Sequence, residues 1–177
     1  MKPEKFKICI FGDGGVGKTS LVNRYLTGVF QDNYRITIGA DFFVKRINMN
    51  GSTATLQIWD FAGEDRFKFI LPSYIVGSSG CIFMFDLTRF SSIKNLTDWM
   101  EVYHKGSKNY GKKIPIIMVG GKLDLGQKRS VMREHAIKFA EKHNFSHYLE
   151  CSSKTGENVN EIFESITKIM LENIDLA

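Results

Sequence analysis

Apolar residues gather in six strand-length runs, residues 6–11, 41–49, 54–60, 81–86, 114–120 and 147–151, separated by polar or amphipathic stretches. Runs of this length alternating with helical patterns predict a parallel sheet covered on both faces. Asn50-Gly51 between the second and third runs is a two-residue turn signal, so that pair is expected to form an antiparallel hairpin at one edge. Residues 20–26 are amphipathic. Ile93, Leu96, Met100 and Tyr103 recur at a spacing of three to four, as do Val159, Ile162, Phe163, Ile166 and Met170. Each set predicts a helix with one buried stripe, and core packing accounts for both without a ligand. Asn158 followed by Glu161 reads as a capping pair opening the last helix. No repeat, low-complexity tract or linker interrupts the alternation. The expectation is one α/β domain over residues 1–177: a six-stranded, mostly parallel sheet with helices on both faces and one antiparallel edge hairpin.

Composition agrees with one ordinary domain, since 177 residues with 43% hydrophobic content can fill a core. Aromatic content of 12% and only three prolines argue against disorder. The apolar runs are far shorter than a bilayer span, and Met1-Lys2-Pro3-Glu4 leads straight into a strand rather than a signal peptide, so a cytoplasmic chain is expected. Cys9, Cys81 and Cys151 each fall in a predicted strand and read as reduced core residues. His143 and His147 are four apart, but Asn144 and Ser146 signal a turn between them, which argues against a metal pair. A net charge of +5 could suit nucleic acid. Its main cluster, the lysines of residues 105–113, instead reads as a solvated helix-to-strand connection, and no nucleic-acid partner is expected.

The candidate chemistry begins at Gly12-Asp13-Gly14-Gly15-Val16-Gly17-Lys18-Thr19, which follows the first strand and opens the first helix. Loops of this form, G-x-x-x-x-G-K-[ST], wrap backbone N–H groups around a polyphosphate, aim a lysine at its β/γ oxygens and place a hydroxyl on Mg²⁺. Glycine permits close approach and positive φ, and the helix N-terminus adds to the anion site. In an open sheet of this kind ligands sit beyond the carboxyl ends of the strands. Asp60-Phe61-Ala62-Gly63 follows the third strand, Gly121-Lys122-Leu123-Asp124 the fifth, and Cys151-Ser152-Ser153-Lys154 the sixth. Any one of these would pass for an ordinary turn; four in order at one sheet edge form a strong signal for a P-loop nucleotide-binding fold.

With these motifs the chain resembles the Ras superfamily of small GTPases over essentially its whole length, its Rab-type members above all. Thr37-Ile38-Gly39-Ala40-Asp41-Phe42 is similar to the Rab switch I segment, and Leu56-Gln57-Ile58-Trp59-Asp60-Phe61-Ala62-Gly63 to the strand leading into switch II. Residues 83–92 are also similar to the septation-pathway GTPases of fungi. The resemblance implies a switch that binds GTP or GDP with Mg²⁺ and hydrolyses GTP. It implies that Gly14, Gly15, Val16, Gly17, Lys18, Thr19 and Ser20 hold the phosphates and that Thr19 and Thr37 ligate Mg²⁺, with Asp60 acting through a bound water. Thr37 and Gly63 would contact the γ-phosphate only in the triphosphate state, so its loss would release both loops. Phe30 would pack against guanine, Tyr34 would close over the phosphates, and Asp124 would accept from the ring N1–H and exocyclic amine. Lys122 would cover the base or brace the phosphate loop, with Ser153 and Lys154 at the guanine O6 and Ser152 beside them among the nucleotide-binding residues. Phe42, Trp59 and Tyr74 match an aromatic trio presented to effectors. A GTPase-activating protein, an exchange factor and effectors at the switches are the implied partners. A monomer is expected, peripheral on membranes only if a lipidated tail is missing from this chain.

Two departures from the family pattern stand out. Gly121 replaces an asparagine expected to contact the base N7 and tie down the phosphate loop, a loss on the order of 1 kcal/mol that weakens binding more than it alters specificity. Glu64 replaces the water-positioning glutamine, and an ionised carboxylate accepts but does not donate, besides repelling the γ-phosphate unless it is protonated or neutralised by a basic group. Slow hydrolysis without an activating protein is therefore expected, the catalytic set being Glu64, Lys18, Thr37 and Gly63. No convincing arginine is supplied in cis, although Arg66 is near. The alternative is a GTP-dependent binding module with little or no hydrolysis. A P-loop kinase or ATPase is disfavoured by Asp124 and Ser153-Lys154.

Overall fold

The computed structural model of the chain describes residues 4–32, 35–49, 51–108 and 113–175. In chain order the elements are β1 (Glu4–Phe11), α1 (Lys18–Thr27), β2 (Ala40–Met49), β3 (Ser52–Phe61), a 3-10 turn (Asp65–Ile70), α2 (Leu71–Ile75), β4 (Gly80–Asp86), α3 (Phe90–Lys94), α4 (Leu96–Lys108), β5 (Ile116–Gly121), a second 3-10 turn (Leu123–Lys128), α5 (Arg133–Lys142), β6 (His147–Glu150) and α6 (Val159–Asp175). The sheet runs β2-β3-β1-β4-β5-β6. Among the described residues only β2 and β3 pair antiparallel, with Met49 opposite Ser52 across the turn where Gly51 has φ 78. The predicted edge hairpin is thus present, although Asn50 lies outside the described residues.

Strand alternation sorts the side chains onto two cores. Phe6, Ile8 and Ile10 of β1, Ile82 and Met84 of β4 and Ile117 and Val119 of β5 face α1 and α6, where Leu21, Tyr25, Ile162, Phe163 and Ile166 close the layer. Cys9, Phe11, Cys81, Phe83, Phe85, Ile116 and Met118 face the opposite way, against Leu71, Ile75, Leu96, Trp99, Met100 and Ala136. Both predicted helical stripes are buried as expected. The first spans two helices broken at Asn95, whose side chain turns to Asp13 with Nδ2 donating to Oδ2 at 2.8 Å.

Four expectations shift. β5 starts at Ile116 rather than Ile114, because Pro115 has no N–H to give the ladder; its carbonyl accepts from the Cys81 N–H at 2.9 Å. β6 ends at Glu150, one residue short of Cys151. Asn158 is not a capping-box residue: it holds φ 59, in the left-handed region, and its Nδ2 donates to the Glu150 carbonyl at 2.8 Å. Lys105 and Lys108 sit in the last turn of α4 rather than in a loop, where they complement the helix dipole; residues 109–112 lie outside the described residues.

The three cysteines are free and buried. Cys9 and Cys81 stand in register on neighbouring strands, and the Cys9 thiol lies 3.1 Å from the Ser78 hydroxyl. His147 pairs with Ser165 at 2.8 Å, Asn144 makes the left-handed turn expected before it, and among the described residues no three His, Cys, Asp or Glu side chains gather around a common point.

One ion pair braces the end of the sheet. Arg129 Nη1 and Nη2 donate to Glu150 Oε1 and Oε2 at 3.0 and 2.7 Å, and Tyr148 Oη donates to Oε1 at 2.7 Å. Burial would raise the Glu150 carboxyl, but Arg129, Tyr148 and Arg133 outweigh it and hold it below the ordinary 4.5. A lowered carboxylate stabilises the fold above the unfolded value, and that contribution is lost as pH falls through the folded value. Glu150→Gln is therefore expected to cost about 3 kcal/mol at pH 7. The gap to wild type, measured by urea unfolding, should close as the pH falls below about 4.

Candidate nucleotide site

At the carboxyl end of the parallel strands the chain leaves β1 through a loop that only glycines can make. Gly12 has φ 143, and a Cβ there would stand 2.0 Å from the Met84 carbonyl oxygen, so the loop presses directly on β4. Gly15 and Gly17 have φ 74 and 106. Gly17 precedes α1 without a side-chain cap, which leaves the first-turn N–H groups free for an external anion. Lys18 is buried and its Nζ donates to the Gly12 and Asp13 carbonyls at 2.7 and 2.8 Å. Burial lowers its pKa to about 8, against the pull of the Asp60 and Asp13 carboxylates, with Arg89 adding to the lowering. A phosphate would restore the missing counter-charge. Asp13 in turn accepts from Trp99 Nε1 at 2.7 Å and from Asn95, which fastens the loop to α4 and its junction with α3.

The hydroxyl of Thr19 donates to Asp60 Oδ2 at 2.5 Å and lies 2.8 Å from the Thr37 hydroxyl. Asp60 Oδ1 is buried and has no partner among the described residues. Burial pushes this carboxyl up to about 6, against the Thr19 bond and the Lys18 charge, with Asp41 assisting. Two hydroxyls beside a carboxylate with an orphaned buried oxygen make a hard, oxygen-only donor set that fits Mg²⁺ and leaves a polar atom unsatisfied without a cation.

Thr37, Gly63 and Glu64 converge on the same end. With Gly14, Gly15, Gly17, Lys18, Thr19, Ser20 and Arg35 they line a small recess of about 40 Å³. The Gly14 N–H donates to the Gly63 carbonyl at 3.1 Å, and the Ala62 N–H to the Gly39 carbonyl at 2.8 Å, so both switch segments are tied to the site's edge. A Cβ on Gly63 would meet the Gly14 nitrogen at 2.1 Å. Glu64 turns to Arg66, whose Nε donates to Oε2 at 2.6 Å, with the carboxylate side chain 38% exposed.

The larger compartment, about 540 Å³, is lined by Val16, Phe30, Lys122, Asp124, Ser153 and Lys154 among others. Asp124 Oδ1 accepts from Ser152 Oγ at 2.6 Å, and that oxygen accepts from the Thr155 N–H at 3.1 Å. Ser152 is fully buried, and its hydroxyl orients Asp124 from behind instead of lining the cleft. Lys122, in a left-handed conformation with φ 66, lines the cleft and pairs its Nζ with Asp86 Oδ2 at 2.7 Å rather than reaching the phosphate loop. Tyr34 lies outside the described residues.

Gly121 is explained by Met84. A Cβ at Gly121 would meet Met84 Cε at 2.5 Å and the Val16 carbonyl oxygen at 3.0 Å, and one at Gly17 would meet the same Cε at 3.5 Å. The methionine therefore fills the room that a side chain at position 121 would take and braces the phosphate loop by contact instead of by a hydrogen bond. Outside the cleft, Phe42, Trp59 and Tyr74 form a continuous row with ring centroids 4.7 and 5.0 Å apart. Phe42 is 46% exposed, and the other two are half-buried. Ile36, Ile38, Val44 and Phe69 add exposed apolar surface that no sequence signal marked. Arg35, Met84, Arg89 and the Asp13 clamp also escaped sequence reading. The basic residue two before Thr37 was the one usable sign.

The Ras family model matches residues 7–172. The chain is 40% identical to Ras-related protein Rab-19 of Xenopus laevis over 94% of its own length and 76% of the relative. It is 35% identical to the Ypt/Rab-type GTPase ypt7 of Schizosaccharomyces pombe over 98% of this chain and 86% of that protein. Against Ras-related protein Rab-13 of Canis lupus familiaris the identity is 37% over 94% and 80%. With a cleft built from all four strand-end loops and a family match across nearly its whole length, the chain belongs to the Ras family and is a Rab-like small GTPase.

Proposed function

We propose that the chain is a Mg²⁺-dependent guanine-nucleotide switch whose intrinsic GTP hydrolysis is slow because Glu64 occupies the water-positioning place. The observation that supports it most is that one cleft has Asp124 at one end and Lys18, Thr19, Thr37 and Gly63 at the other. Asp124, oriented by Ser152, presents two acceptor oxygens to a ring N1–H and an exocyclic amine, a donor pair that adenine lacks. Lys18 and the α1 N-terminus offset phosphate charge, while Thr19, Thr37 and Asp60 would hold Mg²⁺. When bound, the ion neutralises charge on the β and γ oxygens. Thr37 and Gly63 stand on separate loops and share the γ-phosphate as partner, so its release frees both. Calorimetry with Mg²⁺ should show GTP and GDP binding at least about 100-fold more tightly than ATP; equal affinities would refute the reading.

The Glu64–Arg66 pair is solvent-exposed and worth at most about 1 kcal/mol, so it opens readily and leaves a bare carboxylate beside the terminal phosphate. Glu64→Gln removes that charge and restores a donor. Single-turnover hydrolysis should accelerate about tenfold, and an unchanged rate would show that another group orients the water. A switch that scarcely hydrolyses is the second reading, favoured by the same Glu64. Multiple-turnover assays with and without an activating protein separate the two. Effectors, exchange factor and activating protein would engage the switch surface through Phe42, Trp59 and Tyr74, flanked by Ile38 and Phe69. Among the described residues no helix is long and apolar enough to cross a membrane. A cytoplasmic monomer that reaches membranes through a lipidated tail completes the reading.

A further inference from the structure

Arg89 occupies a place that the nucleotide-binding roles above leave unused. Its Nη2 donates to the Gly14 carbonyl at 2.6 Å, bridging 75 positions to the phosphate loop. Gly14 lines the recess that also holds Gly63, Lys18, Thr37 and Glu64, so the guanidinium is bonded to a residue of that recess although Arg89 does not itself line it. Among the described residues Arg89 makes no ion pair, whereas Arg66 is held by Glu64 and Arg129 by Glu150. A guanidinium resting on one neutral oxygen exchanges it readily for an anion, because charge-assisted bonds are about twice as strong as neutral ones.

The stem is fixed while the head is free. The Arg89 N–H donates to the Asp86 carbonyl at 3.0 Å, and the Arg89 carbonyl accepts from the Ser92 N–H and Oγ at 3.0 and 2.7 Å, with Ser92 wholly buried. Asp86 is itself held by Lys122. Such an anchor keeps the reorganisation needed to reach a developing charge small. Gly14 adds no side chain on the side of Gly63, where a Cβ would come within 3.9 Å of the Gly63 carbonyl. Arg35, unlike Arg89, lines the cleft itself, but it sits on the connection between α1 and β2 without secondary structure of its own.

We propose that Arg89 is a catalytic arginine supplied by the chain itself, its guanidinium moving from the Gly14 carbonyl onto the terminal phosphoryl oxygens during transfer. This rests on the GTP-hydrolysis reading. In that step the water oxygen bonds to the γ-phosphorus and the bond from that phosphorus to the β–γ bridging oxygen breaks. The electron pair leaves on GDP, and the water protons end on the released phosphate and the solvent. Arg89 changes no bond; it offsets charge spread over the three equatorial oxygens, including part of the repulsion from Glu64.

The test uses GDP, Mg²⁺ and aluminium fluoride, a planar mimic of the phosphoryl group in flight, without any activating protein. Capture is read from the fluorescence of Trp59 and Trp99, the second of which is bonded to the phosphate loop. Wild type should capture the mimic, and Arg89→Ala and Arg89→Gln should do so at least about tenfold more weakly, with single-turnover hydrolysis falling by a similar factor. GDP affinity should stay within about threefold in both variants, because the ground state does not use the guanidinium. The assignment fails if wild type binds GDP but captures nothing, or if Arg89→Gln captures as well as wild type, which would make the residue a neutral brace. It fails equally if Arg35→Ala abolishes capture while Arg89→Ala retains it, or if the Arg89 variants lose GDP and the mimic alike. A wild type that binds no guanine nucleotide would instead overturn the reading beneath it.

Discussion

Gly63→Ala is expected to bind GDP within about threefold of wild type and to hydrolyse GTP at least about 100-fold more slowly. The added methyl would lie 2.1 Å from the Gly14 nitrogen, 2.2 Å from the Asp13 carbonyl carbon and 2.6 Å from its oxygen, all backbone atoms. None can yield as the end of a side chain can. The phosphate loop is pinned from behind by Lys18 on the Gly12 and Asp13 carbonyls and by Asn95 and Trp99 on the Asp13 carboxylate. The segment after β3 must therefore retreat, breaking the Gly14 to Gly63 hydrogen bond and moving Glu64 with it. A displacement of about 1 Å at reacting atoms is enough for a hundredfold loss. GDP asks nothing of Gly63, so its affinity is spared. Limited proteolysis of the switch segments should give one pattern for GDP and a non-hydrolysable GTP analogue, where wild type gives two.

The second large effect concerns the pair that replaces the missing asparagine. Gly121→Asn alone should destabilise the fold by about 2 kcal/mol, since the new Cβ meets Met84 Cε at 2.5 Å and overpacks a site already filled. Met84→Val alone should cost about 1 kcal/mol through the room it opens beside Gly17. Together they should cost less than either sum predicts, with a coupling on the order of 1–3 kcal/mol in thermal or urea unfolding. The double variant should also gain GDP affinity of roughly fivefold, the value of one restored hydrogen bond. Strict additivity would mean that the two positions are independent and that Met84 does not substitute for the absent side chain.

What sequence made legible was local. The phosphate loop announces itself because Gly12, Gly15, Gly17, Lys18 and Thr19 must act within one turn of chain. Residues 81–86 and 114–120 read as strands because they are apolar almost throughout, although the second begins two residues later than expected. The expected sheet, with its single antiparallel pair, follows from that and from Gly51. What escaped was set by distance along the chain. Nothing near Arg89 points to Gly14, and nothing near Trp99 or Asn95 points to Asp13, since these bonds cross 75 to 86 positions. Met84 looked like one more buried strand residue, and only the fold puts its methyl where Gly121 has none. How Ser152 serves the site is subtler. A serine beside Ser153 and Lys154 resembles a base contact, but the strand end turns it inward, where it serves Asp124. Asn158 shows the limit of local pattern in the other direction. Its spacing to Glu161 suits a cap, yet the carbonyl of Glu150 lies within reach and claims its amide.

The cysteines in the middle of the sheet carry a practical corollary. Cys9 and Cys81 sit side by side on β1 and β4 with no surface open to solvent, so an alkylating reagent reaches either thiol only when those central strands separate. Their modification rate thus clocks cooperative opening of the whole sheet rather than any local breathing. Because β1 carries the phosphate loop at its end, a bound guanosine phosphate slows that clock in proportion to its occupancy, turning two inert thiols into a gauge of ligand loading.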